Sequence, residues 1–155
     1  MRILHATTAA AFALSLISAQ LVDRLLIGRI ALLGSFAGLE LSHNPGIAFG
    51  LRLPPVVQEV LIGIALIIVA IIAIRSAQLS KNSQFSIFNS QFSFGLILGG
   101  GLANIVDRIP DGLVTDFIQI GSFPTFNIAD TCITVGAALL LWESWKHKPS
   151  QTPSI

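Results

Sequence analysis

Two aspartates lie at the predicted edge of a strongly apolar region, and their chemistry is the most informative part of the chain. Asp116 stands in Gly112-Leu-Val-Thr-Asp-Phe-Ile118, and Asp130 follows fourteen positions later in Phe126-Asn-Ile-Ala-Asp130. Two carboxylates held close together share one proton, so that one is a base and the other an acid. Such a pair can activate water against an amide carbonyl without a metal. The turn-like residues 121–124 would let the two segments meet, but spacing alone leaves separate structural roles or an ion pathway as alternatives.

Further polar residues stand at the ends of apolar segments that would all face one side of a membrane. They are Asp23, Asn44, Asn104, Asp107, Arg108, Asn127 and Asp130. Asn104 and Arg108 are four residues apart and share a helical face, and Asn127 and Asp130 share another. Amides donate and accept hydrogen bonds without adding charge, which suits them to orient a carboxylate. Arg108 has two interpretations, an ion pair with Asp107 or another acid, or a direct contact with substrate.

The composition predicts a membrane protein. Apolar residues make up 53% of the 155 positions, charged residues make up 11%, and the mean hydropathy is +0.79, whereas soluble domains carry roughly 25% charged residues. The net charge of +1 gives no basis for nucleic-acid binding. The single cysteine, Cys132, excludes an intramolecular disulfide and a thiolate cluster, and we interpret it as a packing residue. Three scattered histidines give little support to a zinc site, so neither a metal nor a cofactor is predicted.

The hydrophobic pattern predicts one integral membrane domain over residues 1–155 with four spanning helices. The predicted spans are about 3–22, 56–74, 87–106 and 126–145. Segments 23–55 and 107–125 would lie together on one side as a small cap with short strands, the clearest at 113–120. Both termini, including a tail at 146–155, would lie on the other side. Lysine and arginine counts of five against four assign the two sides only weakly.

Two further features have competing interpretations. The first apolar segment follows Met1-Arg2 and resembles a secretory signal, but it is long and lacks a convincing cleavage site before Asp23. We therefore expect it to be retained as the first helix. Asn82-Ser-Gln-Phe-Ser86 recurs as Asn89-Ser-Gln-Phe-Ser93, and two copies are too few for a repeat architecture. We expect a duplicated polar loop insertion without a function of its own.

Four short blocks together resemble the bacterial lipoprotein signal peptidases, also called signal peptidase II. Asn44-Pro-Gly-Ile-Ala-Phe-Gly50 is similar to the family's Asn-x-Gly-x-Ala-Phe-Gly block, and Asn104-Ile-Val-Asp107-Arg108 to its Asn-x-x-Asp-Arg block. Gly112-Leu-Val-Thr-Asp116-Phe117 resembles Gly-x-Val-x-Asp-Phe, and Phe126-Asn-Ile-Ala-Asp130 resembles Phe-Asn-x-Ala-Asp. Each block alone is a modest signal, but four in this order are specific. The resemblance covers essentially the whole chain.

The resemblance implies an all-α membrane protein with four transmembrane helices, a small extracytoplasmic β-cradle and a short periplasmic helix. It implies an aspartic endopeptidase without a cofactor, in which Asp116 and Asp130 form the catalytic dyad. The substrate would be a prolipoprotein, cut just before a cysteine that already carries a diacylglyceryl group. The residues implied in substrate binding or in support of the dyad are Asn44, Asn104, Arg108, Asn127 and Asp23.

The resemblance also implies a location, the bacterial plasma membrane. We expect a monomer in contact with membrane lipid, with its active site toward the extracytoplasmic face and both termini in the cytoplasm. One departure concerns the first outer segment, where the family has Asp-Gln-x-x-Lys and this chain has Asp23-Arg24-Leu-Leu-Ile27. The lysine is absent, which puts the role of Asp23 in doubt, and Arg24 and Arg29 are the candidates to replace it.

Two other functions are compatible with polar residues at one side of a membrane protein. A small proton- or ion-coupled transporter would use acids as relays, and it would spread them through the depth of the membrane. A non-catalytic assembly protein would bind a partner through these residues and would tolerate Asp→Asn changes. The centres of the predicted helices carry no charge, which favours the peptidase.

Overall fold

The computed structural model describes residues 1–46, 54–79 and 84–146, which form four long helices and three short strands. In chain order these are α1 (Arg2–Leu25), β1 (Ile30–Leu33), β2 (Ala37–Asn44), α2 (Pro55–Leu79), α3 (Gln84–Arg108), β3 (Val114–Ile120) and α4 (Ile128–Lys146). The architecture is mostly helical with one small sheet, as the sequence predicts. The predicted strand at 113–120 is confirmed as β3.

Within the described residues, two helices are long and apolar enough to cross a membrane. They are α1 and the segment Val56–Ser76 of α2. α2 exposes much of its aliphatic surface, including Ile64, Ile67 and Ile71. A continuous apolar outer surface is unfavourable in water and suits contact with lipid. α3 and α4 carry more polar side chains, several of which belong to the site described below.

α3 is the central helix and packs against α1, α2 and α4. Its glycines allow a close approach, since a Cβ at Gly99 would come within 2.5 Å of the carbonyl oxygen of Thr8 on α1. A Cβ at Gly100 would come within 2.5 Å of the carbonyl oxygen of Ala129 on α4. Small residues at such contacts let helix backbones pack tightly in membranes. The start of α4 is therefore held close to α3, one turn from Asn104.

The three strands form one antiparallel sheet in the order β1-β2-β3. In the pairing of β2 with β3, Asn44 lies opposite Val114, two residues before Asp116. After β3 the chain turns back, and Phe126 pairs with Ile118 through backbone hydrogen bonds just before α4 begins. The sheet thus brings the end of β2, the middle of β3 and the start of α4 together at one end of the bundle.

The third helix is longer than predicted. α3 begins at Gln84, so the second copy of the polar repeat is helical, and the prediction of a loop insertion was wrong for this part. Two of its polar side chains are compatible with a helix because they have partners elsewhere in the bundle. Ser90 Oγ donates to Glu143 on α4 at 2.9 Å, and Gln91 Oε1 accepts a hydrogen bond from the Met1 amine at 2.7 Å. Inter-helix hydrogen bonds of this kind satisfy polar groups that would otherwise be buried alone.

Some sequence predictions concern residues outside the described ranges. These are the end of the first family-like block at 47–50, the start of the repeat at 82–83 and the tail from residue 147. In the described parts of the outer segments, 26–46 and 109–125, the backbone forms strands and turns. The implied short periplasmic helix is not found in those parts.

Candidate active site

Asp116 lies in the middle of β3 with its side chain inside the protein, where the residue is 1% exposed. Its Oδ2 accepts a hydrogen bond of 2.9 Å from Nδ2 of Asn44 on β2. Asn44 is itself fixed, because its Oδ1 accepts the backbone N–H of Gly46 at 2.8 Å in the turn after the strand. Oδ1 of Asp116 is buried and has no hydrogen-bond partner among the described residues. One oxygen of this carboxyl group is therefore held, and the other is available to a proton or a substrate.

Asp130 is the third residue of α4 and takes part in capping that helix. The backbone N–H of Asp130 donates to Oδ1 of Asn127 at 2.9 Å, and the backbone N–H of Asn127 donates to Oδ2 of Asp130 at 3.3 Å. This reciprocal pair is a capping box. Oδ1 of Asp130 accepts a further bond from Nδ2 of Asn104 on α3 at 2.9 Å, and Asn104 Oδ1 accepts from Asn127 Nδ2 at 3.1 Å. The three side chains form a closed network that fixes the half-buried Asp130.

Asp130 is close enough to Asp116 for its charge to affect the protonation of that carboxyl group. Burial is the main cause that raises the pKa of Asp116 to about 6, and the negative charges of Asp130 and Asp107 add to the increase. The hydrogen bond from Asn44 and the positive charge of Arg108 act in the opposite direction. A carboxyl group with a pKa in this range can hold a proton and release it during a reaction. The structure therefore brings the two predicted dyad residues into one site.

The raised pKa of Asp116 predicts a specific dependence of stability on pH. The pKa is about 6 in the folded protein and about 4 in an unfolded chain, so the folded state binds the additional proton between these values. The stability contributed by the protonated carboxyl group is fully present below about pH 4 and is lost as the pH rises through about 6. The side chain of Asp116→Asn cannot titrate, so this variant does not lose that stability. The difference between its unfolding temperature in detergent and that of the wild type should therefore increase as the pH rises from about 4 to about 6.

The control for this measurement is Asp111→Asn, which changes an exposed aspartate five residues away. Thermal unfolding of the wild type and both variants would be followed from about pH 4 to pH 7. The Asp111→Asn curve should run parallel to the wild-type curve. A parallel curve for Asp116→Asn as well would contradict the raised pKa.

Arg108, the last residue of α3, is 6% exposed and extends to α2 and to the turn after β2. Its Nη2 donates to the carbonyl oxygen of Gly46 at 2.6 Å, and its Nε lies 3.6 Å from Oε1 of Glu59. Of the two interpretations of Arg108, the ion pair is present, but its partner is Glu59 rather than Asp107. The sequence reasoning missed Glu59. Its signal was that of the only acid in α2, near the start of a strongly apolar helix.

Asp107 and Asp23 make other contacts, each between a helix end and the sheet. Oδ2 of Asp107 accepts the N–H of Thr115 at 2.7 Å, which fixes the backbone one residue before Asp116. Asp23 lies in the last turn of α1, and its exposed Oδ1 is 2.9 Å from Nε2 of His43 on β2. The contact of Asp107 therefore supports β3, which carries Asp116, and the contact of Asp23 supports β2, which carries Asn44.

Asp23 lines a second cavity, of about 450 Å³, between α1, the end of α3 and the sheet. Arg24 lines the same cavity, whereas Arg29 donates to the carbonyl oxygens of Gly34 and Ser35 in the turn between β1 and β2. Of the two arginines that could replace the family lysine, Arg24 is the one beside Asp23. Among the described residues no hydrogen bond joins Asp23 to either dyad carboxyl group, and its supporting role stays a prediction.

An open cleft of about 560 Å³ lies between α2, α3 and α4 beside the turn before α4. Its polar lining includes Asn44, Asn104, Arg108, Asp130 and three threonines, and its apolar lining includes Ile62, Phe123, Phe126, Ile133 and Val135. A largely apolar cleft with a few convergent polar groups is the usual form of a ligand site. Over the described ranges, no group of three or more His, Cys, Asp or Glu side chains could hold a metal ion.

A helical bundle in which carboxyl groups from a strand and a helix end converge beside an apolar cleft has the design of an aspartic peptidase built into a membrane. The sequence profile described as "Signal peptidase (SPase) II" matches residues 7–146, and the chain belongs to this family.

Two relatives agree with this assignment. The lipoprotein signal peptidase of Moorella thermoacetica is 34% identical over 114 residues, which cover 74% of this chain and 72% of that protein. The lipoprotein signal peptidase of Chlorobium luteolum is 36% identical in an alignment that covers 72% of this chain and 71% of that protein.

Two solved structures, both described as a bacterial membrane enzyme determined by the in meso method, share the fold. The structure at 2.3 Å resolution has a TM-score of 0.79 at 22% identity and covers 100% of this chain and 94% of its own. The structure at 1.9 Å resolution has a TM-score of 0.75 at 23% identity and covers 96% of each chain. The expected signal peptidase of the aspartic class is confirmed, and the transporter alternative is not supported.

Proposed function

We propose that this protein removes the signal peptide of prolipoproteins whose cysteine already carries a diacylglyceryl group, and that Asp116 and Asp130 are its catalytic dyad. The cut would fall just before the lipid-modified cysteine. The observation that carries the proposal is the convergence of the two carboxyl groups, each held by an asparagine amide, at one end of the bundle. A dyad supplies both a proton acceptor and a proton donor, so the reaction needs neither metal nor cofactor.

The surroundings of the two carboxyl groups support different roles for them. Asp130 accepts hydrogen bonds on both carboxyl oxygens, from Nδ2 of Asn104 and from the N–H of Asn127. Asp116 is buried, has one oxygen without a donor among the described residues and has a pKa of about 6, which favours the protonated form. We therefore assign Asp130 as the base and Asp116 as the acid in the first step.

In that step the Asp130 carboxylate takes a proton from a water molecule as the water oxygen bonds to the scissile carbonyl carbon. The Asp116 carboxyl group donates its proton to the carbonyl oxygen, which gives a neutral tetrahedral diol. Asp130 then passes its proton to the amide nitrogen, the C–N bond breaks, and Asp116 recovers a proton from a hydroxyl group of the diol. Both carboxyl groups return to their starting states.

The remaining polar side chains of the cleft would bind the substrate backbone and support the dyad. Asn44 and Asn104 each fix one oxygen of a dyad residue, and Asn127 connects Asn104 to Asp130. Arg108 lines the cleft between the ion pair with Glu59 and the dyad. The apolar walls suit a signal helix and the acyl chains of a lipid-modified cysteine, since both carry apolar surface into the cleft.

The same arrangement supports a membrane topology. The site lies at the C-terminal ends of α1 and α3 and the N-terminal ends of α2 and α4, as expected if all four helices cross the bilayer in alternating directions. Signal peptides are cut on the outer side of the plasma membrane, so the sheet would face that side and both termini the cytoplasm. One chain supplies every residue of the site, which is compatible with a functional monomer.

The test compares two forms of one prolipoprotein as substrates for the purified protein. The form with diacylglyceryl on its cysteine should be cut before that cysteine, and the unmodified form should be cut much more slowly or not at all. Mass spectrometry of both products identifies the bond, and addition of EDTA should leave the rate unchanged. Equal rates for the two forms would refute the proposed substrate class, and a loss of activity in EDTA that zinc restores would refute the dyad mechanism.

A further inference from the structure

The first turn of α2 contacts the turn that follows β2 in two ways. Gln58 is 2% exposed, and its Nε2 donates to the carbonyl oxygen of Pro45 at 3.3 Å. Glu59, the next residue, lies 3.6 Å from Nε of Arg108, which in turn donates to the carbonyl oxygen of Gly46 at 2.6 Å. Two successive carbonyl groups of the turn are thus held from α2, one directly and one through Arg108. The residue before them is the asparagine that binds Asp116.

Four carboxyl groups lie close enough to Arg108 for their charges to affect it. Glu59 faces it from α2, Asp130 from α4 and Asp116 from β3, and Asp107 lies on its own helix. Among these four carboxyl groups Glu59 attracts the guanidinium most strongly. Arg108 is almost fully buried and the Glu59 side chain is 36% exposed, so solvent screens their attraction only in part. The position of the guanidinium therefore depends on which carboxylate it pairs with.

We propose that Glu59 is a positioning residue, whose carboxylate holds Arg108 on the α2 side of the cleft and away from the dyad. The proposal rests on the proposed dyad function of Asp116 and Asp130. In the observed position Arg108 supports the turn at Gly46. Paired with the dyad instead, its positive charge would favour two ionised carboxylates and would remove the proton that the carbonyl oxygen must receive.

The test is Glu59→Gln, which keeps the shape of the side chain and removes its charge. With the ion pair lost, Arg108 should move toward the dyad carboxylates. We expect kcat to fall roughly 10- to 100-fold, the scale that follows from misplacing a group near the reaction, with a smaller change in KM. We also expect the alkaline limb of the kcat/KM profile to move to lower pH, because the nearby positive charge makes the acid lose its proton more readily.

The matched control is Glu40→Gln, which removes the exposed glutamate that pairs with Arg29 at 3.8 Å in the sheet. It should leave kcat and the pH profile at wild-type values. Glu59→Asp keeps the charge on a side chain shorter by one methylene, so it should restore the wild-type alkaline limb and part of kcat. If Glu59→Gln does not yield folded protein, Glu59→Asp is the deciding variant. An alkaline limb of Glu59→Asp that moves to lower pH, although the carboxylate is kept, would overturn the proposal.

The outcomes separate this inference from the function on which it rests. If Asp116→Asn and Asp130→Asn are inactive while Glu59→Gln keeps the wild-type kcat and pH profile, Glu59 does not position Arg108 and only this inference fails. If Glu59→Gln is less stable but has an unchanged pH profile, its role is structural and the inference also fails. Activity in either aspartate variant would instead remove the dyad mechanism.

Discussion

Asp116→Asn and Asp130→Asn should each reduce the cleavage of a diacylglyceryl-modified prolipoprotein by at least about 10³-fold, a loss within the range for removing a general acid or base. Asparagine has nearly the same shape as aspartate, but it neither accepts a proton from water nor donates one to a carbonyl oxygen. At position 130 the side-chain oxygen can still accept from the Asn104 amide, so the end of the helix should stay capped. The measurement is the initial rate of signal-peptide release in detergent, with the unfolding temperature of each variant.

Asp111→Asn is the matched control for the two dyad variants. Asp111 lies in the same outer segment, is exposed and accepts the backbone N–H of Leu113 at 2.9 Å, a bond that an asparagine oxygen can also accept. Its rate should equal that of the wild type. Near-normal turnover by either dyad variant in folded form would show that the proposed mechanism is wrong.

Asn44→Asp should reduce kcat/KM by about 100-fold or more, comparable to the loss of one preorganised donor at a reaction centre. The change replaces the donor that lies 2.9 Å from Oδ2 of Asp116 with a second acceptor. Two carboxyl groups at that distance share a proton, so the pKa of the pair rises and the proton needed by the substrate stays between them. A carboxylate oxygen can still accept the N–H of Gly46, so the turn should be preserved.

Gln119→Glu makes the same chemical change on β3 outside the cleft. The side chain of Gln119 accepts a hydrogen bond of 3.0 Å from Arg29, so an introduced carboxylate would be paired with a cation. We expect near wild-type kcat/KM for this variant and a loss only for Asn44→Asp, both measured with the lipidated substrate. Equal losses in the two variants would mean that the effect comes from added negative charge in the sheet rather than from the contact with Asp116.

The helix content and most of the site could be predicted from local sequence features. Apolar stretches of about 20 residues specify helices in lipid because each backbone group must be satisfied within its own segment. The strand at 113–120 followed from its flanking turn residues, and the structure confirms it. The polar repeat was interpreted as a loop insertion, because its partners on α4 and at the N-terminus are not evident from the sequence.

The polar residues of the site, like the helices, could be predicted only in part from the sequence. The order of four short blocks predicted which side chains belong together, and the structure places Asn44, Asn104, Asn127 and both aspartates in direct contact or close by. The sequence did not indicate Glu59, since a single glutamate near the start of a helix is also compatible with solvent or headgroup contact. Its role became visible only when α2 packed beside Arg108.

By itself the sequence determined that the chain is apolar enough for a membrane, that two aspartates are available for acid and base chemistry, and which family it resembles. These properties depend on residue type and short spacing, which a chain carries before it folds. Only the tertiary structure decided that Asp116 is buried, that Asp130 is held in a helix cap, and that Arg108 pairs with Glu59. Burial, pKa and ion pairing depend on groups distant in sequence, so the folded arrangement of the helices and the sheet was needed to establish them.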